Sequence, residues 1–215
     1  MKSIPPVSTF CPSGRKEWYS RGYLPHRDRV HLLQCITFRL ADSLPNSVIL
    51  AMERELATFP PDQRSREKRK KVEQWLDAAK GCCALGNPSV AAFVQNSLLH
   101  HDGERYRLLA WVIMPNHVHV VVDPMTPMAQ MVQAWKSYTA RWMLEQNHEL
   151  GLGLGDSRRV WMRDYHDRFI RDEDHLHAAV RYVHQNPVKA GLCREPQDWA
   201  WSSVCLYGTP TSSSA

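Results

Sequence analysis

The sequence predicts an α+β domain built on an antiparallel sheet, and three observations lead there. The valine-rich run His117–Asp123 alternates in the manner of a strand, and only Pro115-Asn116 separates it from the apolar run Arg105–Met114. Two strands joined that closely must be antiparallel neighbours. Met131, Trp135, Tyr138, Trp142 and Met143 recur at spacings of a helix within Met128–Gln146. Strands and helices then mix without the steady beat of βαβ units, which favours α+β with an antiparallel sheet.

The remaining elements follow along the chain. Residues 1 to about 22 carry prolines and serines without periodicity and read as a flexible N-terminal arm. His31–Leu40 reads as the first strand, Ser43–Asn46 as a turn, and Val48–Phe59 as a helix stopped by Pro60-Pro61. A basic run, Arg64 to Lys71, leads into Val72–Lys80, a short helix. Asn87-Pro88-Ser89 starts a helix over Val90–His101, with proline in its first turn. Gly151–Gly155 is a loop and Val160–Ile170 is irregular. Asp172 is a good N-cap, followed by Glu173 and Asp174 in the first turn of a helix towards His184, which Pro187 should end or break. Residues 208–215 read as a disordered tail.

Bulk composition sets wide bounds. With 215 residues, 43% hydrophobic and 23% charged, the chain can bury a sizeable core and has the make-up of a soluble globular protein. No apolar run is long enough to span a bilayer, and the first residues lack a signal-peptide stretch, so the cytoplasm is the expected location. Six cysteines without a C-x-x-C pair read as reduced thiols. The net charge of +5 permits a polyanionic partner without requiring one.

His117 and His119 carry the chemistry. In a strand, residues i and i+2 share a face, so the two imidazoles project side by side while Val118, Val120 and Val122 face the other way. Such a pair makes half of a divalent-metal site, although a bare His-x-His also fits a solvated sheet face. On the later helix Tyr182 and Asn186 stand at i, i+4, on one face. Asn is an oxygen donor that can complete a metal site. Taken alone, however, such a tyrosine is usually half-buried packing, and an asparagine before proline is usually a cap.

Longer segments resemble a known family. They are Gly22-Tyr23-Leu24-Pro25-His26, Ile36 to Pro45, His101 to Tyr106, Trp111 to His119, Val160-Trp161, Arg163 to Arg168, Ile170 to Glu173, Tyr182 to Leu192 and Trp199 to Ser203. In this order they resemble the single-tyrosine HUH transposases, specifically the REP-associated tyrosine transposases of bacteria. Met162 stands where that family more often has glutamine. The resemblance implies a ferredoxin-like sheet with helices on one face, in a single catalytic domain over residues 23–207. It implies Tyr182 as nucleophile, and His117, His119 and Asn186 as ligands of Mg²⁺ or Mn²⁺. It also implies single-stranded DNA as substrate, namely REP palindromes folded as hairpins. No membrane or small-molecule cofactor is implied, and a monomer is favoured over a dimer.

Single strands are held by basic grooves and aromatic stacking. The candidate phosphate contacts are Arg64, Arg66, Lys68, Arg69, Lys70, Lys71, Arg163, Arg168 and Arg171, and the candidate stackers are Tyr23 and Trp161. Trp111, Trp199 and Trp201 read as core. Tyr138 falls in an apolar stripe and reads as packed, Tyr165 as scaffold or DNA contact, and His184 as structural or DNA-facing. Two other readings stay open: a hairpin-binding regulator that does not cut, and a metal-dependent hydrolase in which water attacks.

Overall fold

The computed structural model describes residues 18–20, 25–27, 30–155 and 159–207, without the side chains of 18–20, 25–27, 46, 65 and 69. The elements run β1 (Trp18–Ser20), β2 (Pro25–Arg27), β3 (Gln34–Arg39), α1 (Asn46–Ala57), α2 (Pro61–Asp77), α3 (Pro88–Leu99), β4 (Tyr106–Ile113), β5 (His117–Pro124), α4 (Met128–Glu145), β6 (His166–Phe169), α5 (Glu173–Lys189) and α6 (Val204–Tyr207). The central sheet has the order β4-β5-β3-β6, and every pairing in it is antiparallel. That is a mixed α+β fold on a four-stranded antiparallel sheet. β1 and β2 form a separate antiparallel pair.

The sheet is covered on both faces, which corrects the expectation of helices on one. Ile36, Phe38, Val118, Val120 and Val122 face one side and pack with Val90, Val94, Met131, Val132 and Trp135 of α3 and α4. Leu33, Ala110, Val112 and Val121 face the other and pack with Leu176, Ala179 and Val183 of α5. This explains why every residue of β5 is buried although its pattern alternates. A bulge between Leu108 and Ala110 shifts which residues of β4 face each layer. Before it Tyr106 and Leu108 face α3 and α4, and after it Trp111 and Ile113 take over that side.

Local chemistry places the helices. Pro61 and Pro88 occupy first turns, where no N–H is needed. Asn87 Oδ1 accepts from the Ser89 N–H at 2.9 Å, and Asp172 Oδ1 from the His175 N–H at 2.7 Å. Four expectations are corrected. The basic run does not precede a short helix; it lies inside α2, which begins at Pro61. The stretch 160–170 contains the strand β6. Trp18–Ser20, assigned to the arm, forms β1. Pro187 does not end α5, which continues to Lys189 with Val183, Asn186 and Pro187 all buried. Burial of that last turn outweighs the hydrogen bond that a proline nitrogen cannot give. Residues 1–17 and the expected tail at 208–215 lie outside the described residues.

The free edge of β4 is covered by the C-terminal segment. The N–H of Ile113 donates to Trp201 O at 2.9 Å, and that of Ser203 to Trp111 O at 3.0 Å. Among the described residues five cysteines are free thiols and no helix is long and apolar enough to cross a membrane.

Candidate active site

The β5 register fixes the site. Val112, His119 and Thr37 stand abreast on β4, β5 and β3, and His166 continues the row on β6. All lie on the face covered by α5. A slip of one residue would turn both histidines into the apolar layer under α3 and α4. His117 and His119 are buried, and their Nε2 atoms stand 3.0 Å apart. Asn116 Oδ1 lies 2.7 Å from His117 Nδ1, and Thr37 Oγ1 lies 2.7 Å from His119 Nδ1.

Across this pair lies α5. The Tyr182 ring meets the His119 ring edge-on, with centroids 5.4 Å apart. Asn186 follows one turn later and is buried. Lys189, seven residues after Tyr182 and so on the same helical face, sets its Nζ 4.7 Å from the centroid of the tyrosine ring.

Burial governs the protonation of the site. It holds His117 well below the usual imidazole range, helped by His119 and the Arg39 cation. It lowers His119 to about 3, with His166 and Lys189 acting in the same direction. Both rings are therefore neutral near pH 7, the form in which imidazole ligates a metal. Burial also raises the Tyr182 phenol far above its ordinary value. The Glu73 and Asp77 carboxylates of α2 add to that rise, while the Asn186 amide opposes it. Cys35, in the same neighbourhood, is pushed up to about 12 by burial and remains a neutral thiol.

The donor set fits a hard or borderline divalent cation. Two nitrogens on adjacent corners of an octahedron, each about 2.1 Å from the ion, stand about 3.0 Å apart; the two Nε2 atoms have that spacing. Among the described residues no three His, Cys, Asp or Glu side chains gather to hold a metal ion. A third donor would be of another type, and Asn186 Oδ1 is a buried oxygen without a hydrogen-bond partner. Such an orphan is costly unless a ligand engages it.

The structure thus brings His117, His119 and Tyr182 together, with Asn186 one turn along the same helix. The expected phosphate contacts lie on α2 and in and beside β6. Arg66 and Lys68 are exposed on α2. Arg64 instead donates to the carbonyls of Phe59 and Ala57 beyond and at the end of α1. Lys70 pairs with Glu67, and Lys71 with Glu55. Arg69 lies on α2, its side chain undescribed. Arg163, Arg168 and Arg171 are exposed, with Arg168 opposite Cys35 in the β3–β6 register. Tyr23 lies outside the described residues.

Trp161 is corrected outright as a stacker. It is 5% exposed, its Nε1–H donates to Thr139 Oγ1 at 3.0 Å, and it meets Phe38 edge-on. A ring so enclosed cannot receive a base. Tyr138 is the converse: expected to be packed, it is 58% exposed and stacks on Phe93. Tyr165 is buried core, and buried His184 Nε2 lies 2.8 Å from Ser203 Oγ. Among residues that the sequence reading did not single out, Thr37, Arg39, Asn116 and Lys189 border the site. Lys189 had a signal, its heptad spacing from Tyr182; the other three had none.

Parts of the chain are similar to known proteins. Residues 98–186 match the family model described as transposase IS200 like. Over 99 residues the chain is 24% identical to a REP-associated tyrosine transposase of Escherichia coli (strain K12), an alignment covering 46% of this chain and 54% of that protein. The chain thus spans about half the length of this curated relative. A solved structure titled "Structure of the REP associates tyrosine transposase bound to a REP hairpin" is 15% identical with a TM-score of 0.46, covering 86% of this chain and 81% of that one.

Proposed function

We propose that this chain, whose residues 98–186 match the IS200-like transposase model, is a single-strand DNA transesterase that cuts and rejoins REP-type hairpins through Tyr182. The observation that carries this reading is the contact between the Tyr182 ring and the His119 ring. It sets a phenol beside two neutral imidazole nitrogens on rigid elements.

Tyr182 Oη attacks the phosphorus of a scissile phosphodiester. The Oη–P bond forms, the P–O3′ bond breaks, the phenol loses its proton and the departing 3′ oxygen gains one. The 5′ end is left as a phosphotyrosine, and a second 3′-OH reverses the step without ATP because the bond energy is retained. A Mg²⁺ or Mn²⁺ held by His117, His119 and Asn186 would supply Lewis-acid polarisation of a non-bridging phosphate oxygen. Lys189, beside the phenol, and Arg39, beside His117, bring positive charge to a site that must receive a phosphate. Burial, by raising the Tyr182 pKa, favours the protonated phenol at rest, so the incoming DNA meets a phenol rather than a repelling phenolate.

Incubation with a labelled REP hairpin and Mn²⁺, run on a denaturing gel, tests the proposal. A band shifted by the mass of the protein, absent in Tyr182→Phe, is the expected result. Cleavage without that band would move the attack to water. Binding with no product would make the chain a regulator.

A further inference from the structure

We propose that Asn116 and Thr37 are positioning residues, with different tasks, that decide which nitrogen each imidazole turns towards the site; this rests on the metal-dependent reading above. Asn116 is fully buried directly before the histidine pair. Its Nδ2 donates to Lys80 O at 3.0 Å. A carbonyl oxygen only accepts, so that bond settles which end of the amide is which. Oδ1 then faces His117 Nδ1 at 2.7 Å, and it too only accepts. His117 therefore carries its hydrogen on Nδ1 and presents a bare Nε2.

The Lys80 carbonyl is itself held in place. In the loop beyond it, the Cys82 N–H donates to Asp42 Oδ2 at 2.6 Å. Gly81, between the two, has φ +91°, and a Cβ there would come within 2.9 Å of Asp42. The loop that closes α2 thus reaches His117 through one amide.

Thr37 acts otherwise. With no cation between them, two neutral imidazole nitrogens 3.0 Å apart share one hydrogen, and His117 Nε2 has none. The hydrogen comes from His119 Nε2, and the Thr37 hydroxyl donates to Nδ1. Offering both Nε2 lone pairs to one cation moves the His119 hydrogen to Nδ1, and the same hydroxyl rotates to accept it. A hydroxyl can do both; an amide oxygen cannot. Asn116 is the fixed partner and Thr37 the reversible one, and no net charge changes.

The test combines Mn²⁺ affinity, from electron paramagnetic resonance of the free ion, with ¹⁵N imidazole shifts of the metal-free and Mg²⁺-loaded protein. Wild type should show His117 with its hydrogen on Nδ1 in both samples and His119 changing from Nε2 to Nδ1. Thr37→Val and Asn116→Ala should each weaken Mn²⁺ binding about 10- to 100-fold, and Thr37→Ser should restore it. Should Asn116→Ala fail to fold, Thr37→Val and the wild-type shifts still decide. The inference is overturned if folded variants bind Mn²⁺ within about 2-fold of wild type, or if His117 carries its hydrogen on Nε2. If wild type binds no Mn²⁺, the metal reading of the site falls, and this inference with it; if only the variants behave as wild type, that reading survives alone.

Discussion

On one face of the sheet Ile36, Phe38, Val118 and Val120 meet Trp135 and Trp161 in an apolar layer. On the other, Thr37, His117 and His119 meet Tyr182 and Asn186 of a single helix. On the first face Trp135 Nε1–H donates to Tyr106 Oη at 2.9 Å, Tyr106 Oη–H to Leu98 O at 2.8 Å, and Trp161 Nε1–H to Thr139 Oγ1 at 3.0 Å. On the second face Asn186 Oδ1 has no partner, and two imidazoles are held neutral by burial. The same two strands, β3 and β5, supply these residues to both faces, residue by alternate residue. The layer under α3 and α4 is apolar packing, and the α5 face holds buried imidazoles and an amide oxygen without a partner, at a cost to stability.

The largest test of this contrast is Tyr182→Phe. Strand cleavage should fall by about 10³-fold or more, with hairpin affinity and melting temperature unchanged. A variant that cuts at the wild-type rate would remove Tyr182 from the chemistry. Trp161→Ala, on the opposite face, should lower unfolding stability by about 3–5 kcal/mol, measured by urea denaturation. The protein that remains folded should bind hairpins with unaltered affinity; a selective loss of binding would return Trp161 to the DNA surface.

Acid should separate the faces further. His119 is depressed to about 3 and His184 to about 4 from an ordinary 6.5. Between those values the unfolded chain takes up protons that the folded chain refuses. Their contribution to stability is thus complete above pH 6.5 and is lost as the pH falls towards 3–4. The urea midpoint of metal-free protein should drop steadily below pH 6.5, and less steeply in His119→Gln. Smaller still, Asp172→Ala removes the cap of α5 and should cost about 1 kcal/mol, seen as a lower thermal midpoint. Replacing Arg66 or Lys68 should reduce the salt slope of hairpin binding by about 1 each, whereas Arg64→Ala should leave it unchanged and loosen α1 instead.

What the sequence made legible followed from local rules. β4 and β5 could be paired because only Met114, Pro115 and Asn116 join them. α3 and α5 could be started because Asn87 and Asp172 are caps. The histidine face followed from the period of a strand. Elements governed by tertiary packing were hidden. β6 reads His-Asp-Arg-Phe, with no apolar alternation, and exists because it borders β3. α5 outlasts Pro187 because its last turn is buried. Trp161 and Tyr138 exchanged their expected environments, since an aromatic residue looks alike in sequence whether a neighbour encloses it or not. Asn116 read as punctuation between strands, and its contact with the Lys80 carbonyl crosses 36 positions of sequence.

The central claim is that Tyr182 attacks DNA beside His119. The most direct measurement is mass spectrometry of the protease-digested product formed from protein, hairpin and Mn²⁺. The account predicts a nucleotide linked to the peptide that contains Tyr182, and to no other tyrosine. A link at Tyr138 or Tyr165, or efficient cleavage with no linked peptide, would contradict it.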